Sequence, residues 1–391
     1  MRVLILGADG YLGWPTCMHF SRRGHEVVAV DNYFRREASV KLDCQGLFPV
    51  PDLAQRAASW RELTGAGIET HVGDVTDYDF LLEVFRNTRP DIVVHYAEQP
   101  SAPYSMLSQE AAAFTVRNNL LSTLNVMFAV REASPGCHIV KLGTMGEYGT
   151  PDIDIEEGWL DVEHNGRRDR FLFPRQASSL YHTTKIQDTD MIWFYVRTWG
   201  LRVTDLMQGP VYGLSTGETG LDPSLATCFN YDEIFGTVLN RFVVQAVAGH
   251  PLTVYGSGKQ VRGYINLRDT MQCVYLSAMD PADAGELRIF NQVTETFSVN
   301  QLAEKVRRVG ERLGYPVEVR TYKNPRVEKE DHYYNPRYSG LLELGLEPHL
   351  LTDAVLEEMF RTVEGHKDRI DADRIFKGVN WQSGAGGNVV K

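Results

Sequence analysis

The chain has 391 residues, of which 43% are hydrophobic and 23% are charged, a composition typical of a soluble globular protein. Its length predicts two lobes or one enlarged domain. The net charge is -11, and lysine and arginine form no cluster larger than a few residues. This charge pattern argues against a nucleic acid or an anionic membrane as a partner.

Five scattered cysteines without a Cys-x-x-Cys pair indicate reduced core thiols, and they predict neither a metal site nor a disulfide framework. The first strand is expected directly at Val3, which leaves no room for a signal or transit peptide. No apolar run is long enough to span a membrane. These features predict a cytoplasmic protein.

The first strand, Val3 to Leu6, is followed by a glycine-rich turn and by a helix predicted from Tyr11 to Arg23. Glycines let the backbone approach a pyrophosphate, and the N-H groups at the start of the helix favour its negative charge. We therefore predict that the turn binds the cofactor phosphates. Its candidate residues are Gly7, Gly10, Tyr11, Leu12 and Gly13.

A second strand, Glu26 to Val30, ends in Asp31 and Asn32, about 20 residues beyond the turn. A carboxylate there hydrogen-bonds an adenosine ribose and repels a 2'-phosphate, so the sequence favours NAD over NADP. Arg35 and Arg36 follow closely. They either soften this preference or are solvated loop charges.

The pattern then alternates regularly between helices and strands. Helices are expected over Leu53 to Leu63 and Tyr78 to Asn87, and strands over Ile68 to Val72 and Ile92 to His95. Asp74 and Val75 follow the third strand and are predicted to contact the adenine. This alternation predicts an α/β fold with a doubly wound parallel Rossmann-type sheet, whose ligand crevice lies at the carboxyl ends of the strands.

Polar residues follow the fourth and fifth strands at the same rim. Gln99 and Ser101 come after the fourth strand, and Asn118 lies on a helix that ends near Ala133. The fifth strand, His138 to Leu142, delivers Thr144 and Met145. We expect Asn118 to contact the cofactor, Thr144 to hydrogen-bond the reacting hydroxyl, and Gln99, Ser101 and Met145 to contact the substrate.

Tyr181 and Lys185 form a Tyr-x-x-x-Lys motif at the start of a helix predicted to continue through Ile186 to Trp199. In a helix the two side chains share one face, so we expect the ammonium to lie beside the phenol and to lower its pKa. Such a phenolate can deprotonate a sugar hydroxyl while a nicotinamide accepts the hydride. A second match, Tyr255 to Lys259, encloses Gly-Ser-Gly and predicts a turn instead.

Two domains are expected, with residues 1–208 binding NAD and residues 209–382 forming a smaller mixed α/β substrate lobe that can return segments to the sheet. Residues 152–176 are predicted to be a loop or small hairpin over the site, and Leu252 to Gly263 a hairpin. Further helices are expected over Phe235 to Gly249, Asp269 to Ala278, Val299 to Leu313 and Asp353 to Thr362. Residues 383–391 are glycine-rich and predicted to be disordered.

Six strings of the chain resemble the UDP-sulfoquinovose synthase family of the extended short-chain dehydrogenase/reductase superfamily. They are Gly10–Trp14, Ser101–Met106, Lys141–Pro151, Tyr181–Lys185, Gly249–Gly256 and Asn324–Glu328. The resemblance implies tightly held NAD and the conversion of UDP-glucose and sulfite into UDP-sulfoquinovose. It also implies a homodimer that pairs the helices Leu107 to Ala133 and Ile186 to Trp199.

The implied chemistry oxidises C4 with Thr144, Tyr181 and Lys185, which acidifies the C5 proton and allows the C6 hydroxyl to leave. Related 4,6-dehydratases carry an Asp-Glu pair directly after the catalytic threonine, where this chain has Met145 and Gly146. The C5 base and C6 acid duties therefore fall to Glu147 and His182, in either order. The structural alternative for Glu147 is a strand-end residue that holds a loop. For His182 it is a packed histidine on a helix face.

The diphosphate requires cations and oriented donors, and the resemblance favours Arg262 and Arg326 among the candidates. The other predicted substrate residues are Gln208, Asn240, Arg241 and Gln260, with Thr253 and Tyr255 facing the uracil. Each cation taken singly is equally explained as a surface charge, and the strand of Thr253 and Tyr255 as lobe packing.

One position departs from the family pattern. An arginine often precedes the Ser-Ala-Pro-Tyr-Ser string, where it would anchor sulfite, and this chain has Pro100. Sulfite then meets another cation or backbone donors, or the nucleophile differs.

Two competing functions use the same site: a UDP-glucose 4-epimerase or nucleotide-sugar dehydratase, and a nucleotide-sugar sensor without catalysis.

Overall fold

The computed structural model describes residues 1–388. Its strands are β1 Arg2–Leu6, β2 Glu26–Asp31, β3 Ile68–Val72, β4 Ile92–His95, β5 His138–Thr144, β6 Trp159–His164, β7 Arg167–Leu172, β8 Arg202–Gln208, β9 Val211–Tyr212, β10 Leu252–Tyr255, β11 Val261–Asn266, β12 Leu287–Gln292, β13 Glu295–Ser298, β14 Val319–Tyr322, β15 Lys377–Asn380 and β16 Ala385–Asn388. Its α-helices are α1 Gly13–Arg22, α2 Phe34–Lys41, α3 Leu53–Thr64, α4 Tyr78–Thr88, α5 Gln109–Ala133, α6 Leu180–Trp199, α7 Val238–Val247, α8 Leu267–Met279, α9 Val299–Arg312, α10 Ser339–Glu343, α11 Asp353–Glu364 and α12 Ala372–Ile375.

Seven parallel strands form the central sheet in the order β12-β8-β5-β4-β1-β2-β3. The inner strands are nearly continuous apolar runs because both faces of the sheet are covered, and Val3 to Leu6 are fully buried. The order reverses beside β1, as the alternating pattern predicts for a doubly wound sheet. The ligand crevice of such a sheet lies at this reversal.

The predicted elements of the first 208 residues are confirmed, with shifts of a few residues at their ends. Helix α1 begins at Gly13 and not at Tyr11, because the turn continues through Gly10, whose N-H donates to Gly7 O at 3.3 Å. Helix α2, directly after Asp31, was not predicted. It places Arg35 and Arg36 on an ordered element.

The excursion after β5 forms the expected small hairpin, in which β6 and β7 pair antiparallel. The hairpin packs against α6, where the rings of Trp159 and Trp193 meet edge to face with centroids 4.9 Å apart. Its strands lie beside α6 and do not line the ligand cavity described below. The expectation that it covers the site is therefore not met by the strands themselves.

The predicted hairpin over Leu252 to Gly263 is wrong. Strand β10 pairs in parallel with β14, whereas β11 pairs with β13 and β9 in a separate three-stranded sheet. Gly256 and Gly258, with φ of 60° and 67°, turn the chain out of one sheet and into the other. Strand β12 returns from this part of the chain to the central sheet, so the two predicted lobes share that sheet.

The expected disorder after residue 382 is wrong for residues 383–388. Strand β16 folds back on β15 as an antiparallel pair, and Gly384, with φ of 65°, closes the turn by donating to Asn380 O at 2.8 Å. A glycine-rich composition thus serves a tight turn here. The last three residues of the prediction, 389–391, lie outside the described residues.

Among residues 1–388, no helix combines the length and apolarity needed to cross a membrane. All five cysteines are free. Four are buried in the core, and Cys228 is partly exposed beside the ligand cavity.

Candidate active site

A cavity of about 520 Å³ runs along the carboxyl ends of the central strands and continues between the sheet and the C-terminal part of the chain. Most of the predicted site residues line it. They are Gly7, Gly10, Tyr11, Leu12, Gly13, Asp31, Asn32, Val75, Ser101, Asn118, Thr144, Met145, Tyr181, His182, Gln208, Asn240, Arg241, Thr253, Tyr255, Gln260, Arg262 and Arg326. The predicted residues that stand behind the lining are Asp74, Gln99, Glu147 and Lys185.

The glycine-rich turn has the close packing that a dinucleotide cradle requires. A Cβ at Gly13 would lie 2.0 Å from Gly7 O, and one at Gly7 would lie 2.7 Å from the backbone carbon of Tyr96. Only glycine allows the turn, the start of α1 and the loop after β4 to approach so closely. These features fit the pyrophosphate of NAD, with Gly10 to Gly13 lining the cavity.

Asp31 is held rigidly at the end of β2. Its carboxylate accepts hydrogen bonds from Asp9 N at 2.9 Å and Tyr33 N at 2.7 Å. Burial and the neighbouring Asp9 carboxylate raise the pKa of Asp31 to about 6. Asn32 donates to the Asp74 carboxylate at 3.1 Å, so Asp74 holds Asn32 from behind the lining.

The two arginines after Asp31 are engaged and are not solvated loop charges. Arg36 binds both oxygens of Asp9, at 2.7 and 2.6 Å, and buried Arg56 joins the same carboxylate. The guanidinium of Arg35 stacks 4.0 Å from the centroid of the Phe235 ring and donates to Asn230 at 3.0 Å. Arg36 is thus not free to meet a 2'-phosphate, whereas Arg35 lines the cavity.

Thr144 and Tyr181 reach the cavity from β5 and from the first turn of α6. Thr144 ends its strand, and its Oγ1 accepts from Gly146 N at 3.2 Å. Ser179 caps α6 by accepting from His182 N at 3.1 Å, which confirms that the Tyr-x-x-x-Lys motif is helical. Tyr181 is further fixed by its backbone N-H, which donates to Ser105 Oγ at 3.3 Å.

The ammonium of Lys185 is engaged by other groups of the site. The ammonium donates to Leu142 O and pairs with Glu98 at 2.5 Å, so its charge is largely compensated. Burial, and next the Glu98 carboxylate, raise the pKa of Tyr181 instead of lowering it.

The sequence reasoning missed the residues behind this lysine. Glu98 also pairs with Lys141 at 2.7 Å, and Lys141 lies 3.4 Å from Asp188. All these side chains are almost entirely buried. The signal that could have revealed them is a lysine inside an otherwise apolar strand, since a buried lysine requires a partner.

His182 lines the cavity with a fixed ring. Its Nδ1 lies 2.9 Å from Ser178 Oγ and 3.0 Å from Ser179 Oγ, so the ring is held from one side. Burial, then the charges of Arg326 and Arg262, lower the pKa of His182 to about 3. A neutral imidazole at this place can accept a proton.

The structure places Glu147 where its structural alternative expects it, behind the lining of the cavity. Its carboxylate is fully buried, accepts from Thr144 N at 3.2 Å and lies 3.3 Å from Arg175. Its backbone O accepts from Gln176 N at 3.0 Å. Glu147 thus holds the end of β5 to the base of the excursion, and burial raises its pKa to about 7 despite the charge of Arg175.

The polar residues around Ser101 also play supporting parts. Gln99 is fully buried, and its amide donates to Thr115 Oγ1 at 2.9 Å and to Ser101 O at 3.0 Å. Asn118 donates to Asn119 Oδ1 at 3.1 Å at the edge of the cavity. Gln208 pairs with Gln292 at 3.1 Å, which joins the ends of β8 and β12.

Two of the predicted cations at the far end of the cavity already have carboxylate partners. Arg241 pairs with Glu233, and Arg262 pairs with Glu328 at 2.9 Å. Arg326 is exposed, and its guanidinium lies 5.5 Å from the centroid of the Trp381 ring.

The neighbouring polar residues connect these cations to the strands of the second lobe. Tyr255 OH donates to Glu233 at 2.6 Å, and Thr253 accepts from Arg241 at 3.1 Å. Asn240 accepts from Gly213 N at 3.0 Å, and Gln260 donates to Tyr255 O at 3.1 Å. The structure therefore brings the predicted nucleotide residues together.

Three further residues of this end were not predicted. Glu233, Tyr334 and Trp381 line the cavity, and they come from segments without a motif or regular periodicity. Trp381 lies in the turn between β15 and β16 and donates its backbone N-H to Pro325 O at 2.9 Å. Only the fold brings these distant segments beside Arg326.

The NAD dependent epimerase/dehydratase family model matches residues 3–291. The chain is 50% identical to the chloroplastic UDP-sulfoquinovose synthase of Spinacia oleracea, over 97% of this chain and 79% of that protein. It is 45% identical to the UDP-sulfoquinovose synthase of Sulfolobus acidocaldarius, over 95% and 94% of the two chains. The UDP-glucose 4-epimerase structure of Bifidobacterium longum with NAD+ and UDP superimposes with a TM-score of 0.70 at 19% identity, covering 94% of this chain and all of that one.

The match to the family model covers the central sheet, the glycine-rich turn and the Thr144 and Tyr181 positions. The two relatives extend the similarity over nearly the full chain. The chain belongs to the NAD dependent epimerase/dehydratase family, and it is an enzyme that uses NAD.

Proposed function

We propose that the enzyme converts UDP-glucose and sulfite into UDP-sulfoquinovose and water. The observation that carries this proposal is the cavity itself, which joins the glycine-rich turn, the pair Thr144 and Tyr181, and the cations Arg262 and Arg326. The relatives of 50% and 45% identity bear the name of this activity.

The C-terminal end of the cavity suits a nucleoside diphosphate. Arg262 and Arg326 are proposed to bind its phosphates, with Gln260 and Asn240 as neutral donors. Thr253 and Tyr255 are proposed to contact the uracil. The phosphates would bring negative charge to arginines whose partners are now Glu328 and the Trp381 ring.

Tyr181 is proposed to take the proton of the C4 hydroxyl while Thr144 hydrogen-bonds its oxygen. NAD, when bound, supplies the acceptor and later donor of the C4 hydride and a positive charge near the phenol. The ketone at C4 acidifies the C5 proton. Of the two candidates Glu147 and His182, His182 lines the cavity, and it is proposed to remove that proton.

The proton that His182 has taken leaves with the C6 hydroxyl as water, which gives a 4-keto-5,6-ene, and the sulfur of sulfite forms its bond at C6. Hydrogen sulfite or solvent supplies the proton that C5 then receives, and C4 is reduced to the alcohol. Pro100 lines the cavity where related chains often carry an arginine. We propose that sulfite is met by another cation of the cavity or by backbone donors.

The test is incubation of the purified enzyme with UDP-glucose, with and without sulfite, followed by mass analysis of the nucleotide sugars. A sulfite-dependent product with a sulfonate in place of the C6 hydroxyl is expected. The matched control is Tyr181→Phe, which removes a single oxygen and should abolish the product. Isomerised or dehydrated sugar formed without sulfite would favour the epimerase or dehydratase alternative and contradict the proposal.

The homodimer through α5 and α6 and the cytoplasmic location are proposed on the sequence argument alone. The Spinacia oleracea relative is named a chloroplastic enzyme, so the chloroplast is the alternative location.

A further inference from the structure

Two buried ammonium groups share the same two acceptors behind Tyr181. Lys141 Nζ lies 2.7 Å from Glu98 Oε1 and donates to Leu142 O at 3.3 Å. Lys185 Nζ lies 2.5 Å from Glu98 Oε2 and donates to the same carbonyl. The two lysine side chains are 1% and 3% exposed, so water cannot screen the repulsion between them.

Glu98 is the group that compensates this repulsion. Although burial acts to raise its pKa, the charges of Lys141 and Lys185 hold the pKa of Glu98 below its ordinary value, so it is ionised. Asp188 lies 3.4 Å from Lys141, but burial and the Glu98 charge raise its pKa well above the ordinary value. Asp188 is therefore a weaker counter-ion than Glu98.

We propose that Glu98 is a positioning residue for the reaction, whose carboxylate fixes the ammonium of Lys185 behind Tyr181 and offsets the repulsion between the two buried lysines. The inference rests on the proposed function in one respect, namely the identity of the reaction that Glu98 serves. Nothing in the Tyr-x-x-x-Lys motif points to this carboxylate. It comes from the loop after β4, whereas the motif lies on α6.

The surroundings of Glu98 contain few other charges that could replace it. On β4, His95 lies 3.4 Å from the carboxylate, and burial lowers its pKa to about 3, so the ring is neutral. Thr123 on α5 donates to the carboxylate at 3.2 Å. The charge of Asp205, on β8, raises the pKa of Lys141. The charge of Glu147, at the end of β5, raises the pKa of Tyr181.

The experiment compares Glu98→Gln with the wild-type enzyme. The readout is the rate at which UDP-glucose reduces the enzyme-bound NAD without sulfite, followed by NADH fluorescence as a function of pH. A carboxylate counter-ion raises the pKa of a lysine, so its loss lowers that pKa. We expect the alkaline limb of the rate to move down by about one pH unit or more. Because Glu98 also raises the pKa of Tyr181, its loss should move the acid limb to lower pH as well, so kcat should fall about tenfold at alkaline pH while KM for UDP-glucose stays nearly constant.

Two further variants test the charge balance itself. Glu98→Asp keeps the charge and should return the alkaline limb towards the wild-type pH. The double variant Glu98→Gln with Lys141→Met removes one positive and one negative charge, so Lys185 no longer faces a second ammonium. In this double variant the alkaline limb should likewise return most of the way to the wild-type pH. A purely structural role of Glu98 would not produce that return.

The inference is overturned if Glu98→Gln keeps the wild-type pH profile, or if the double variant is shifted as far as the single one. If Glu98→Gln does not fold, Lys141→Met alone decides: its alkaline limb should move up, because Lys185 then has Glu98 to itself. An unchanged limb in that variant overturns the inference. Failure of the proposed function is a separate result, since it appears as missing sulfonated product in the wild-type enzyme.

Discussion

A Cβ at residue 146 would lie only 2.2 Å from the Nε2 atom of His182, so glycine is needed at this position to leave room for the imidazole ring. Related 4,6-dehydratases carry their acidic pair directly after the catalytic threonine. Here Met145 and Gly146 occupy those positions. The imidazole thus fills space that a side chain at 146 would take, and the two arrangements exclude each other in this structure.

Gly146→Ala should therefore lower the rate of product formation by about tenfold to a hundredfold, because the added methyl displaces the His182 ring. Steady-state kinetics on the purified variant would measure this loss. In a His182→Ala background the same substitution should cost little more, since the ring it displaces is gone. Equal effects of Gly146→Ala in both backgrounds would contradict this explanation.

The pKa of His182 should rise when the substrate binds. Burial, then the charges of Arg326 and Arg262, lower it to about 3 in the structure, and a bound diphosphate would compensate both arginines. A base is active only when neutral, so activity is lost as pH falls through its pKa. The acid limb of kcat, which reports the complex, should lie at higher pH than that of kcat/KM. Coincident limbs, or a limb that persists in His182→Asn, would contradict this prediction.

The parallel sheet could be predicted from the sequence because its strands are apolar runs separated by helices with regular periodicity. The same holds for the cofactor end and for Thr144 and Tyr181, which directly follow predicted elements. The roles of Glu147 and Lys185 could not be predicted, since spacing along the chain does not show which way a side chain points. Glu147 turns into the core towards Arg175, and Lys185 turns to Glu98.

The C-terminal end of the cavity was predicted in part, from motif strings and not from elements. Arg262 and Arg326 are where the strings suggested, but Glu233 and Trp381 reach them from segments distant in sequence. The hairpin prediction is wrong because turn glycines such as Gly256 and Gly258 occur in both situations: where the next strand pairs with the preceding one, and where it joins another sheet. Such long-range pairing depends on tertiary packing, which local sequence does not record.

The stability contribution of Glu147 should depend on pH. Burial raises its pKa from 4.5 to about 7, so the folded state binds more protons than the unfolded state between these values. The wild-type enzyme therefore loses stability at this site as pH rises from about 4.5 to about 7. The unfolding free energy of Glu147→Gln relative to wild type should shift in favour of the variant over the same range. Chemical denaturation at pH values below and above this range measures the shift, and a constant difference would contradict the prediction.

Asp31 should determine the choice of NAD over NADP. Asp31→Asn removes the carboxylate charge at the end of β2, so binding of NAD should weaken by about tenfold. The preference over NADP should narrow, because the repulsion of a 2'-phosphate is gone. Fluorescence titration of both cofactors measures the two effects. The matched control is Asp74→Asn, a carboxylate that binds Asn32 from behind the lining, and it should change the preference little.

Trp381 should act on substrate affinity through Arg326. The guanidinium lies 5.5 Å from the centroid of the indole, a contact of about 0.5 to 1 kcal/mol at an exposed site. Trp381→Leu removes the aromatic face but keeps the backbone hydrogen bond to Pro325. We therefore expect KM for UDP-glucose to rise about two- to fivefold with kcat nearly unchanged, because the interaction is the same in the ground state and the transition state. Trp381→Phe keeps an aromatic ring, so its KM for UDP-glucose should lie between those of the wild type and Trp381→Leu. A fall in kcat at constant KM would instead place Trp381 in the chemistry and contradict its assignment to the nucleotide end.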